Sequence, residues 1–156
     1  MTVILSFDPS SNKAATSNTG VVLIDNGKLL KHWCLPYGVD GIKKWYEEEF
    51  DGIKCDKVIF EHFEARDNSK AKDNSVIETI AEIKRLIPYA EPFRNGGYQT
   101  DIPDSLLKEL GLWKFKKSHH QDCRAAARLA LFYAMRNDIE DFITGVGELL
   151  SESFQG

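Results

Sequence analysis

Asp8, Glu61, His119 and Asp122 lie far apart in the chain, yet each stands where a fold delivers chemistry. Asp8 ends a short apolar run, "VILSF", and Glu61 follows another, "KVIF". In an open α/β sheet ligands bind beyond the carboxyl ends of strands, so the two acids sit side by side if their strands are parallel neighbours. Asp122 and His119 open the helical stretch "KKSHHQDCRAAARLALFYAMR" at i, i+3 spacing, which points both the same way. Carboxylates converging on one point repel unless a cation compensates, and oxygen donors with a single imidazole suit Mg²⁺ or Mn²⁺. Two such ions about 3.5–4 Å apart stabilise both the attacking and the leaving oxygen of a phosphodiester. The expected chemistry is phosphodiester hydrolysis at a metal site held by Asp8, Glu61, His119 and Asp122.

Each of these residues also has an ordinary reading. Asp8 begins "DPSS", good turn chemistry. Glu61 is one of several acids near a strand end, with Glu64 and Asp67 as alternatives. Asp122 is a first-turn acid of the kind the helix dipole favours, and His119 is a solvated helix-start residue. Convergence of all four favours a site. His120, roughly 100° around the helix from His119, is expected to face solvent or phosphate, so loss of His119 should do the greater damage. Zinc held by His119 and Cys123 would lack two further ligands.

The elements that must position these residues follow from apolar periodicity. "VILSF" is a first strand, "TGVVLID" a second, and Asn26-Gly27 a two-residue hairpin turn into a third, "KLLKHWCL". A helix spans about Asp40 to Phe50. "CDKVIFEHF" is a fourth strand, too continuously apolar for an exposed sheet face and so expected in the sheet interior. An amphipathic helix runs from Asn74 or Ser75 and ends before Pro88. "YAEPFRN" offers a fifth strand and "PDSLLKELGL" a short helix stopped by Gly111. The long helix to Arg136 follows, with Ala126, Leu129, Ala130 and Tyr133 as its core face. A tail helix covers about Asp138 to Leu150, and "SESFQG" is expected to fray. The order predicts an α/β fold with a mixed sheet, whose first half is an antiparallel three-strand meander and whose later strands enter by helical crossovers.

The 156 residues, 42% hydrophobic and 28% charged, are expected to form a single domain, 1–156, with its own core. No apolar run approaches the roughly 20 residues that span a bilayer. The opening lacks the basic region of a signal peptide. Cys34, Cys55 and Cys123 are scattered without a CxxC, which reads as reduced thiols of a cytoplasmic protein. A net charge of −4 argues against a non-specific nucleic-acid coat protein. It leaves room for a nuclease with local basic rims, here Arg66, Lys70 and Lys72, and Lys114, Lys116 and Lys117.

The ordered set "SFDPSS", "TGVVLID", "VIFE" and "HHQDCRAAARLALFYA" resembles RuvC-type Holliday-junction resolvases over roughly residues 3–136. In that family a strand ends in Asp-Pro-Gly/Ser-Ser, Thr-Gly opens the next strand, and an acid or His precedes Asp in the final helix. The resemblance implies an RNase H-like fold with helices on both faces of the sheet. It implies Asp8, Glu61 and Asp122 as metal-binding catalytic carboxylates, and His119 as the fourth site residue. Ser10 replaces the family's usual Gly, the first loop is longer, and the chain is short, features that resemble bacteriophage members. The implied activity is Mg²⁺- or Mn²⁺-dependent cleavage of four-way DNA junctions by paired nicks, in the host cytoplasm if phage-encoded. Arg66, Lys70, Lys72, Lys116 and Lys117 are expected to grip phosphates. Paired nicks call for a C2 homodimer, with the Asn74–Ile87 helix as candidate interface through Val76, Ile80, Ile83 and Ile87, widened by Ile77 and Leu86. The alternatives are an RNase H-like nuclease acting on RNA–DNA hybrids, flaps or RNA precursors, and an actin-like nucleotide-binding hairpin, which would need a second domain.

Overall fold

In a computed structural model of the protein, which describes residues 2–10, 17–63, 75–115 and 120–155, five strands form one sheet in the order β3-β2-β1-β4-β5. β1 (Val3–Asp8), β2 (Thr19–Asp25) and β3 (Lys28–Leu35) make the antiparallel meander, while β4 (Lys57–Glu61) and β5 (Glu91–Phe93) add in parallel on the other side of β1. The hairpin between β2 and β3 turns on Asn26 (φ 48°) and Gly27 (φ 91°), the left-handed pair that a tight two-residue turn requires.

Strand alternation divides the core in two. Leu5 and Phe7 of β1, Val21 and Leu23 of β2, and Val58 and Phe60 of β4 point to one face. There they meet Ile42 and Trp45 of α1 (Gly38–Glu49) and Ile83 of α2 (Val76–Leu86). Trp45 stands edge-on to Phe7 at 5.4 Å and to Trp33 at 5.5 Å. Ile4, Val22, Ile24 and Ile59 point the other way, against α5 (His120–Arg136). The apolar run of β4 is therefore explained by cover on both faces, as expected for an interior strand.

Several elements differ from the sequence expectation. β5 keeps only Glu91–Phe93 of "YAEPFRN", and a short helix, α3 (Tyr98–Asp101), precedes α4 (Asp104–Glu109). α5 is not a one-faced helix, because every residue from Ala126 to Ala134 is buried. The sheet covers one side, while Tyr98 of α3, Leu107 of α4 and Phe142 of α6 (Glu140–Gln155) join the same cluster from beyond it. α6 runs on to Gln155 where fraying was expected; no Pro or Gly interrupts residues 148–155. Of the six residues expected at a dimer interface, Ile83 and Ile87 enter the chain's own core, Ile80 and Leu86 pack against it, and Val76 is half-buried. Ile77 alone is exposed, at 41%. No helix among the described residues is long and apolar enough to cross a membrane.

Candidate active site

The register places Asp8 and Glu61 together. β1 and β4 pair in parallel through Phe7 and Phe60, and both acids come one position later. Phe7 and Phe60 face α1 and α2, so the next residue of each strand faces α5. Their carboxyl groups are hydrogen-bonded to each other. Burial pushes the Asp8 carboxyl well above the usual carboxylate range; the hydrogen bond and charge of Glu61 add to this, and the charge of Asp122 raises it further.

The chain leaving Asp8 is pinned by the hydroxyls of its motif. Ser10 N–H donates to Thr19 Oγ1 at 3.0 Å, and the two hydroxyls are 2.9 Å apart. Thr79 of α2 donates from Oγ1 to the Ser10 carbonyl at 2.7 Å. Ser10 is thus a bonded participant in the turn.

Asp122 is delivered by close packing of α5 on β2. Gly20, the register partner of Asp8, lies under the first turn of α5. A Cβ on Gly20 would overlap the Asp122 carbonyl and come within 2.8 Å of the Cys123 nitrogen. Only a residue without a side chain lets the helix descend this far. On the far side of Gly20, Cys34 of β3 is the next register partner. A single row across the sheet therefore reads Glu61, Asp8, Gly20, Cys34, with Asp122 and Cys123 above it.

Two polar residues that sequence reasoning missed complete the surroundings. Asn95 donates its side-chain amide to Glu61 Oε1. It lies two positions beyond Phe93, the β5 partner of Glu61, and so returns to the same face. The signal was a polar residue just past a parallel strand end, but β5 is too short for its register to be read from sequence. Tyr98 shares a hydrogen bond with Asn95, and its hydroxyl pKa is raised by burial first and then by the charges of Glu61 and Asp8. The Arg128 guanidinium lies 5.7 Å from the Tyr98 ring centre and is ion-paired with Asp104.

Among the described residues no three His, Cys, Asp or Glu side chains are close enough to ligate one ion as they stand. The described donors at the site, Asp8, Glu61 and Asp122, are nonetheless all carboxylates, and oxygen donors suit a hard divalent cation. His119 lies outside the described residues, as do Glu64 and Asp67, and so do Arg66, Lys70, Lys72, Lys116 and Lys117. The described basic groups near the start of α5 are Lys108, Lys114 and Arg124. Arg124 lies 3.7 Å and the Lys108 ammonium 4.7 Å from the Trp113 ring centre.

A mixed sheet that begins as an antiparallel meander, continues in parallel strands and carries helices on both faces is an RNase H-like α/β fold. Among solved structures, the chain is similar to T. thermophilus RuvC in complex with Holliday junction substrate, with a TM-score of 0.68 and 12% identity. The match covers 90% of this chain and 98% of that one. No protein-family model matches the chain, and neither does any curated protein sequence.

Proposed function

We propose that this protein is a divalent-metal-dependent endonuclease that resolves four-way DNA junctions by paired symmetric nicks. The observation that carries the reading is the Asp8–Glu61 contact at the carboxyl ends of two adjacent parallel strands, with the charge of Asp122 acting on it from α5. Asp8, Glu61 and Asp122 hold Mg²⁺, or Mn²⁺ in its place, with His119 as the fourth site residue. The metal supplies positive charge that stabilises the attacking and leaving oxygens of the phosphodiester. Asn95 keeps Glu61 oriented by occupying one of its oxygens. Lys108 and Lys114, exposed beside Trp113, extend the basic rim expected from Arg66, Lys70, Lys72, Lys116 and Lys117. The choice of branched DNA draws support from the RuvC structure, which holds a Holliday junction. One chain carries one such site, so paired nicks require a homodimer whose axis coincides with that of the junction. The site of action is the cytoplasm.

The test is cleavage of a synthetic four-way junction beside duplex, flap and RNA–DNA hybrid substrates, in Mg²⁺ or Mn²⁺. The expected result is two symmetric nicks in the junction and little cutting of the others, with a protein dimer on the junction in sedimentation. Preferential cutting of the hybrid by a monomer would replace the junction reading with that of a different RNase H-like nuclease. Within this reading, Asn95→Ala should lower cleavage roughly 10–100-fold, as loss of a ligand's supporting hydrogen bond does. It should also raise the Mg²⁺ concentration at half-maximal rate. An unchanged Mg²⁺ midpoint would remove Asn95 from the site.

A further inference from the structure

The row that begins at Glu61 and Asp8 ends at a thiol. Cys34 Sγ lies 3.5 Å from Cys123 Sγ, although 89 positions separate the two in the chain. Cys34 is partly exposed at the sheet edge, and Cys123 is fully buried in the first turn of α5. The contact follows from Gly20, which lets the Asp122–Cys123 backbone settle on β2 beside the strand that carries Cys34. The Cys123 sulfur also lies 3.6 Å from the Trp33 carbonyl, which keeps it turned toward β3.

We propose that Cys34 and Cys123 form a reversible disulfide, a redox modification site that ties the first turn of α5 to β3. The oxidant is a low-molecular-weight disulfide, RSSR. Cys34, the sulfur within reach of solvent, gives up its proton and attacks one sulfur of RSSR. A Cys34–SR mixed disulfide forms and RS⁻ leaves, taking up that proton. Cys123 then gives up its proton, attacks Sγ of Cys34 and displaces the second RS⁻, which leaves as RSH. The protein loses two electrons and two protons, and RSSR becomes two RSH. The buried position of Cys123 excludes external disulfides from its sulfur but not Cys34, so the pair closes in preference to accumulating the mixed form.

Bond formation draws the sulfurs from 3.5 Å to about 2.05 Å. β3 lies across β2 from β1 and β4. The movement therefore pulls Cys123, and Asp122 with it, away from Asp8 and Glu61. The bond itself is independent of the proposed function. Its consequence for cleavage rests on that reading: the oxidised protein nicks its substrate roughly 10- to 100-fold more slowly, because displacement of a reacting group by about 1 Å costs on the order of 10² in rate.

The test equilibrates the full chain in mixtures of reduced and oxidised glutathione, blocks remaining thiols with N-ethylmaleimide, and reads intact and peptide masses. The expected product joins Cys34 to Cys123, leaves Cys55 alkylated, and reverts with dithiothreitol. Cys123→Ser should instead trap glutathione on Cys34. Cys34→Ser, altered at a partly exposed position, should melt like wild type and form no internal bond. A lasting glutathione adduct on wild-type Cys34, or three alkylatable thiols in oxidised glutathione alone, would overturn the proposal. Cleavage by wild type, and not by Cys34→Ser, should slow on oxidation; equal rates in both redox states would overturn the regulatory step. A crosslink in a protein that cleaves in neither state would uphold the thiol chemistry and remove the nuclease reading.

Discussion

Asp8→Asn should abolish cleavage, in Mg²⁺ and in Mn²⁺, while raising the thermal stability of the metal-free protein at neutral pH. The first effect follows from charge. The substitution keeps the shape of the side chain and removes the negative charge proposed to hold the cation, and removal of one strong electrostatic contributor costs roughly 10²–10³ in rate. Glu61→Gln and Asp122→Asn should lose activity likewise, with junction binding retained in all three. The second effect has a definite sign. Burial, Glu61 and Asp122 together raise the Asp8 carboxyl in the folded state above its unfolded value. The folded state then binds more protons than the unfolded state as pH rises through the ordinary carboxylate range, so stability is lost between the unfolded and the folded pKa. Metal-free wild type carries this cost at pH 7 and Asp8→Asn does not. The melting-temperature difference should vanish below about pH 3.5, where the carboxyl is protonated in both states. A variant that melts below wild type at pH 7, or that cleaves at the wild-type rate, would take Asp8 out of the site.

The order of the main elements was legible because it rests on local signals, while the parallel pairing of strands one and four entered only as a condition that the register then met. Asn26-Gly27 fixes the hairpin, and the uninterrupted Val58-Ile59-Phe60 run marks an interior strand. Once β1 and β4 are parallel neighbours, period-two alternation brings Asp8 and Glu61 to one face without further information. What was not legible depends on contacts between distant segments. The meeting of Cys34 with Cys123 needs the register of β2 on β3 and the height of α5 above the sheet, and neither leaves a motif in the chain. Asn95 acts from a strand of three residues, too short to show a period. The apolar stripe of α2 was visible, but its division between the core and the surface was not. Periodicity locates an apolar face without saying what covers it: Ile83 and Ile87 face the sheet while Ile77 faces solvent.

Gly20→Ala tests whether packing height sets the site, since Gly20 belongs to neither the acids nor their strands' ends. The added methyl would overlap the Asp122 carbonyl, a backbone atom that no rotamer change can move aside. β2 cannot yield, because it is bonded to β1 on one side and β3 on the other, and all but its last residue are buried. α5 must therefore rise. Overpacking of this kind costs about 1–3 kcal/mol, which should appear as a lower melting temperature. Cleavage should fall further than stability, on the order of 10²-fold for a shift near 1 Å, because Asp122 moves farther from Asp8 and Glu61. The same lift separates Cys123 from Cys34, so the internal disulfide should form less completely in glutathione. The joint loss distinguishes a raised helix from general loosening, in which Cys55 would become more reactive as well. A Gly20→Ala protein with wild-type melting, cleavage and crosslinking would mean that the α5 turn is free to relax, and that something other than its approach to β2 positions Asp122.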